Sequence, residues 1–180
     1  MSIYTRNGDE GKTSLINEAV VSKSDDRIEL LGTIDELSSY IGFAKVLAPE
    51  HERNILSEIQ KDLMIIMAGV ADAENPSYFI NEEKIKNIEA EIDDLESLFS
   101  RKNEFVLYGE CELSSRLDLA RAITRRTERC FVQVSQNYIV DINAMKFLNR
   151  LSDYLYILAR YVDYKMTETP CKKNKKLVDK

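Results

Sequence analysis

The chain has 180 residues, a length that suits one domain with a sizeable core. Six glycines, three prolines, 44% hydrophobic and 31% charged residues in long periodic segments point to an all-α protein. A net charge of −6 leaves no overall footprint for nucleic acid, and one histidine, His51, is too few for paired Glu-x-x-His metal sites or a histidine-activated serine or cysteine.

Three cysteines, Cys111, Cys130 and Cys171, have no metal-type spacing and read as reduced thiols. No metal-ligand set is expected among the side chains. No apolar run approaches the roughly 20 residues needed to span a bilayer. The opening MSIYTRNGDEGKTS has no signal-peptide apolar core, so a soluble cytoplasmic location is expected.

Residues 1–24 hold Gly8 and Gly11 among Thr, Ser, Asn and Asp without helical period. They read as a loop that orders on binding, with a short extended piece at Ile3–Thr5. The GKTS run at 11–14 invites a P-loop reading, but Arg6 stands where the first glycine belongs, and five residues cannot supply the preceding buried strand. What survives is a polar loop whose N–H groups and hydroxyls suit phosphate oxygens.

The first long helix is expected from Asp25 to Leu47, capped by Asp25 or Asp26 and ended by Pro49. Leu30, Ile34, Leu37, Ile41 and Ala44 form its seam, and Asp35 beside that seam is expected to be partly buried and to need a cation. Gly32 and Gly42 cost this helix about 1 kcal/mol each relative to Ala, which close packing or a nearby ligand would explain. A second helix spans 50–71 with Ile55, Ile59, Leu63, Ile66 and Val70 inward. After a loop at 72–81, an acidic third helix covers 82–99 with Ile85, Ile88, Ile92, Leu95 and Leu98. The connection 101–111 is unusually apolar at Phe105, Val106, Leu107 and Tyr108, which implies that it folds back over something.

The fourth helix, Leu113–Asn137, carries Leu113, Leu117, Ala120, Thr124, Thr127, Phe131 and Val134 on one face in steps of three and four. Arg121, Arg125 and Glu128 run beside that seam. Two arginines at i and i+4 repel, so the pair asks for an anion, either an internal carboxylate or a ligand. The fifth helix, 141–167, has Ala144, Leu148, Leu151, Leu155, Leu158 and Val162 in unbroken steps, and a second apolar stripe at Phe147, Tyr154, Ile157, Tyr161 and Tyr164. Such a helix is either central in its bundle or buries a face against another subunit. A frayed basic tail, 168–180, closes the chain. The expected fold is an up-and-down five-helix bundle in a single domain of 1–180, with an N-terminal nucleotide-binding loop.

Arg121, Arg125, Arg126, Glu128 and Arg129, with Asn149, Arg150 and Asp153 of the next helix and the Gly/Thr/Ser loop, suit a polyanion held by charge-assisted hydrogen bonds. Arginine–carboxylate pairs between bundle helices are also commonly structural.

The order of motifs adds to this. IYTRNGDEGKTSL, then Lys23 and RIELLGTIDELSSYIGFA, then FVLYG, LDLARAITRRTER and FLNRLSDYLYILARY together resemble the PduO-type ATP:corrinoid adenosyltransferases. The resemblance implies transfer of the 5′-deoxyadenosyl group of ATP to the cobalt of cob(I)alamin, releasing triphosphate with Mg²⁺ present. It implies a homotrimer with active sites between subunits, and a cob(II)alamin reductase and a cobalamin-dependent enzyme as possible partners. Thr5, Arg6, Asn7, Gly8, Thr13, Ser14 and Lys23 would hold nucleotide and phosphates, completed by Arg125, Arg126, Glu128, Arg129 and Asn149. Asp35 would pair with Arg121 across the subunit boundary, and Phe105 would press on the lower face of the corrinoid and displace its axial base. The chain departs from the family at Leu107-Tyr108-Gly109-Glu110, where Leu-Pro-Gly-Gly is usual, at Asp118, where His is common, at Thr127, where Ala is common, and at Asn17-Glu18. A non-catalytic ATP- and corrinoid-binding chaperone module and a purely structural trimeric bundle are the alternatives.

Overall fold

In the computed structural model, which describes residues 6, 8–101 and 105–168 (Glu168 by its backbone alone), two short strands precede five helices. Strands β1, Lys12–Ser14, and β2, Val20–Ser22, pair antiparallel with Lys12 opposite Ser22, Thr13 opposite Val21 and Ser14 opposite Val20. This hairpin corrects the expectation of an irregular loop. The Leu15 amide donates to the Ala19 carbonyl at 2.9 Å across a turn in which Glu18 takes a φ of +64°. β-branched Thr13, Ile16, Val20 and Val21 flanking Asn17 are the local signal for it. The GKTS run lies in β1 rather than in a strand-to-helix loop, consistent with rejecting the P-loop. The extended piece expected at Ile3–Thr5 lies outside the described residues.

Helix α1, Asp26–Lys45, begins where the Asp25 carboxylate accepts the Arg27 amide at 2.9 Å. It closes in tight turns, with the Leu47 amide donating to Ala44 and the Ala48 amide to Lys45, so the helix ends two residues before the expected Leu47. Helix α2 covers Glu50–Ala71, α3 covers Glu82–Ser97, α4 covers Glu112–Ser135 and α5 covers Ile142–Glu168. A short 3₁₀ turn, Pro76–Tyr78, crosses α2 at Gly69, where an added Cβ would stand 2.6 Å from the Tyr78 carbonyl oxygen. Asp141 then ties that connection to α5: one carboxylate oxygen accepts the Ile80 amide at 2.6 Å and the other the Asn143 amide at 2.8 Å.

α4 is the central element, packed on both α5 and α1; α2 covers α1, and α3 covers α5. The α1 seam is buried as expected, and so are the α4 positions from Leu117 to Val134. On α2, Leu56 takes the fully buried place and Ile55 is only partly covered. On α3, Leu98 is exposed because the helix has ended at Ser97. The second stripe of α5 needs no other subunit at Phe147, Tyr154 and Ile157, which are buried on the side where α3 packs. Burial of the Tyr154 phenol pushes its pKa up.

One expectation about α1 fails and another holds in part. Asp35 is exposed, because the helix turn carries it to the outside of the Ile34 seam, and no described residue lies within ion-pair distance of it. Close packing accounts for Gly42, whose added Cβ would lie 3.3 Å from Gln60, but not for Gly32, which faces open space. Among the described residues no helix is long and apolar enough to cross a membrane.

Candidate functional site

The polar N-terminal segment is built around its turns. The Gly11 amide donates to Gly8 at 3.3 Å, and the Lys23 amide donates to the Gly11 carbonyl at 2.8 Å, which ties the exit of β2 back to the entry of β1. Gly11 has a φ of +76°, a backbone state that favours glycine. A Cβ on Gly8 would come within 2.9 Å of Lys23 Nζ, so the ammonium lies against the Gly8 backbone. Arg6, Gly8, Thr13, Ser14 and Lys23 thus belong to one small unit of structure, with Thr13 half-buried and Ser14 exposed. Thr5 and Asn7 lie outside the described residues.

Asp25 joins this unit to the bundle. Its carboxylate is bound by the Arg27 guanidinium at 2.9 and 3.0 Å, and Arg27 lies 4.3 Å from the Tyr138 ring centroid. The hydrogen-bonded Arg27 holds the Asp25 carboxyl down at about 2, against its partial burial. Asp26 accepts from Gln133 of α4 at 3.3 Å. Arg129 precedes Gln133 by one turn, about 6 Å along the axis, so the root of the hairpin and the arginine face of α4 share one end of the bundle.

On that face Arg125 is exposed and no described residue holds its guanidinium. Arg126 pairs with Glu36 of α1, and Arg129 donates to the Arg125 carbonyl at 3.0 Å. Glu128 accepts from Asn149 of α5 at 2.9 Å; the same amide accepts from Arg150 at 2.7 Å, and Arg150 donates to Glu89 of α3 at 2.8 Å. Asn149 therefore joins the arginine face, whereas Arg150 and exposed Asp153 turn toward α3 and do not. Among the described residues no three His, Cys, Asp or Glu side chains cluster as metal ligands.

Toward the start of α4 a second charged group is buried. Asp118, 5% exposed, accepts from Arg160 of α5 at 2.5 Å and lies 3.6 Å from Arg121. Arg160, 7% exposed, also pairs with Asp163 at 3.2 Å. Burial pushes the Asp118 carboxyl above its ordinary value, with the two arginines opposing that rise. Arg121, expected to meet Asp35 across a subunit boundary, lies beside Asp118 one turn back on its own helix. Arg160, Asp118 and Asp163 were not among the expected site residues, although the i, i+3 spacings Asp118–Arg121 and Arg160–Asp163 were a visible signal.

Arg160 also lines a cavity of about 570 Å³ with Phe99, Phe105, Leu107, Tyr156 and Tyr164. Phe105 is fully exposed and Leu107 nearly so. Of residues 105–110 only Val106 is half-buried, and Tyr108 is 55% exposed; Phe105, Val106 and Leu107 line this cavity alongside α5. A larger cavity of about 720 Å³, between α2 and α3, includes no residue of α4.

Residues 3–162 match the family described as Cobalamin adenosyltransferase. The corrinoid adenosyltransferase PduO of Salmonella typhimurium is 42% identical over 168 residues, covering 91% of this chain and 50% of its own length. A corrinoid adenosyltransferase of Bacillus subtilis is 33% identical over 171 residues, covering 91% of this chain and 87% of its own length. The chain spans about half the length of the PduO relatives that it matches. A solved variant of the PduO-type ATP:corrinoid adenosyltransferase from Lactobacillus reuteri, complexed with cobalamin and ATP, shares the fold at a TM-score of 0.86 and 35% identity, over 92% of this chain and 93% of that one. An arginine face beside a Gly/Thr/Ser hairpin, carried on this fold and matched over nearly its whole length, has one consistent reading: the chain belongs to the cobalamin adenosyltransferase family.

Proposed function

We propose that this chain transfers the 5′-deoxyadenosyl group of ATP to the cobalt of cob(I)alamin, giving adenosylcobalamin and triphosphate. The observation that carries this reading is the α4 face, where the exposed Arg125 guanidinium stands beside Arg126, Arg129 and the Glu128–Asn149 pair at the root of the 8–23 hairpin unit. The supporting relatives are named corrinoid adenosyltransferases, and a neighbour of the same fold was solved with cobalamin and ATP.

The chemistry asks little of a base. Cobalt(I) attacks C5′ with its own electron pair, the C5′–O bond breaks, and triphosphate leaves with the bonding pair. Alignment at C5′, stabilisation of the leaving polyanion and exclusion of water are the protein's tasks. Arg125, whose guanidinium no described residue holds, is placed to receive phosphate oxygens. Arg126 would exchange Glu36 for phosphate, and Lys23 with the backbone of Gly8 and Gly11 would cover the other side, with Arg6, Thr13 and Ser14 alongside. Thr5 and Asn7 are assigned to the same pocket by resemblance alone. Mg²⁺ would arrive on the nucleotide, because it is commonly held by substrate phosphates with one or two carboxylates rather than by a protein cage; Glu128 is the acidic side chain within this face.

The corrinoid would lie against Phe105, whose ring would displace the lower axial base. The full exposure of Phe105 and Leu107 supports a homotrimer in which the site is shared between subunits, with exposed Asp35 of one reaching Arg121 of the next. A cytoplasmic location, a cob(II)alamin reductase and an adenosylcobalamin-dependent acceptor enzyme complete the reading. Mixing the protein with MgATP and chemically reduced cobalamin should yield a light-sensitive Co–C product and triphosphate. A folded protein that yields neither refutes the transferase. Binding of both ligands without single-turnover transfer would instead identify a cofactor-carrying module.

A further inference from the structure

Residues 105–110 make no backbone hydrogen bond to the bundle among the described residues. Phe105 and Leu107 face outward, and Gly109, with a φ of +112°, turns the chain toward the start of α4. Tyr108, although 55% exposed, is the residue of this segment whose ring reaches the buried charged cluster. Its ring centroid lies 5.1 Å from the Arg121 guanidinium and 5.3 Å from that of Arg160, both within the range of cation–π attraction. The two cations are held in place independently of the ring, since Asp118 stands between them and Asp163 backs Arg160. Arg160 Nε and Nη1 and Arg121 Nε are buried without a hydrogen-bond acceptor, so the electron-rich ring faces cations whose N–H groups are not fully spent.

We infer that Tyr108 is a positioning residue for the corrinoid: its ring, seated on Arg121 and Arg160, fixes the segment that presents Phe105 and Leu107. This rests on the reading of 105–108 as the corrinoid side of the site. Phe105 is three residues away, within about 10 Å of chain, so freedom at Tyr108 becomes freedom at Phe105.

The test compares Tyr108→Leu and Tyr108→Phe with the wild-type protein. Tyr108→Leu is expected to raise the KM for cob(I)alamin about fivefold, the loss of two modest cation–π contacts, and to leave the KM for ATP unchanged. Tyr108→Phe keeps the ring and should restore the wild-type value. Hydrogen exchange of the Val106–Glu110 amides should quicken in the leucine variant and not in the phenylalanine variant. Unchanged corrinoid KM and unchanged exchange in Tyr108→Leu would overturn the inference, as would a phenylalanine variant as impaired as the leucine one. If the wild-type protein transferred no adenosyl group, the functional reading would fail, while the exchange comparison would still report on the anchor.

Discussion

At Asp118 one carboxylate serves two arginines, and the order of burial decides what its removal costs. Arg160 is the more deeply covered partner, and Asp163 can keep part of its charge balanced. Breaking a buried pair by deleting one member costs about 3–5 kcal/mol because a desolvated charge is left behind. Asp118→Ala should therefore lower unfolding free energy by about 3 kcal/mol, the smaller value reflecting Asp163, as read by denaturant titration. Arg125 makes the opposite case. It contributes little to the fold, so Arg125→Lys should leave the melting temperature unchanged while lowering kcat/KM about tenfold or more, because lysine lacks the planar fork for two phosphate oxygens. Unchanged kinetics would remove Arg125 from the triphosphate site.

The elements differ in how they are held. α1 starts on a charged cap: Asp25 accepts the Arg27 amide and also binds the Arg27 guanidinium. Asp25→Ala should cost about 1 kcal/mol at neutral pH through the lost cap. The folded-state pKa lies near 2, below the ordinary 3.8, so this stabilisation is complete above 3.8 and is lost as pH falls toward about 2. Unfolding curves of the wild type and Asp25→Ala should converge over that interval, and curves that stay parallel would contradict the assignment. The α4 face shows why one stripe of basic residues has several fates. Successive positions turn by about 100° around the helix, so Arg121 meets Asp118, Arg125 meets solvent, and Arg126 meets Glu36 of α1.

For the molecule as a whole, the proposed corrinoid side of the site is the region whose apolar side chains a second subunit would cover. Phe105, Leu107 and Leu119 are open in the single chain. Sedimentation should show a trimer, and a fully active monomer would exclude the shared site. Phe105→Ala should reduce turnover that begins from cob(II)alamin and an enzymatic reductant much more than transfer from prereduced cob(I)alamin, since the ring's proposed task is to remove the lower ligand before reduction. Equal losses in the two assays would mean that Phe105 only packs.

Read as sequence alone, the chain already determined five helices, their inward seams and the arginine-rich stripe of α4. Periodicity reports on one helix at a time, and a buried face must repeat every three or four residues whatever it packs against. Leu30, Ile34, Leu37, Ile41 and Ala44 were legible for that reason. The motif order likewise carried the family. The tertiary structure alone decided the partners. It gave Asp118 the guanidinium of Arg160 on another helix, Arg126 the carboxylate of Glu36, and Glu128 the amide of Asn149. These outcomes depend on which helices become neighbours and how each is rotated about its axis, distances between residues that lie tens of positions apart. Asp118 and Arg160 are separated by 42 positions in the chain and by 2.5 Å in space. No local pattern encodes that meeting, and it is the one on which the placement of Tyr108 depends.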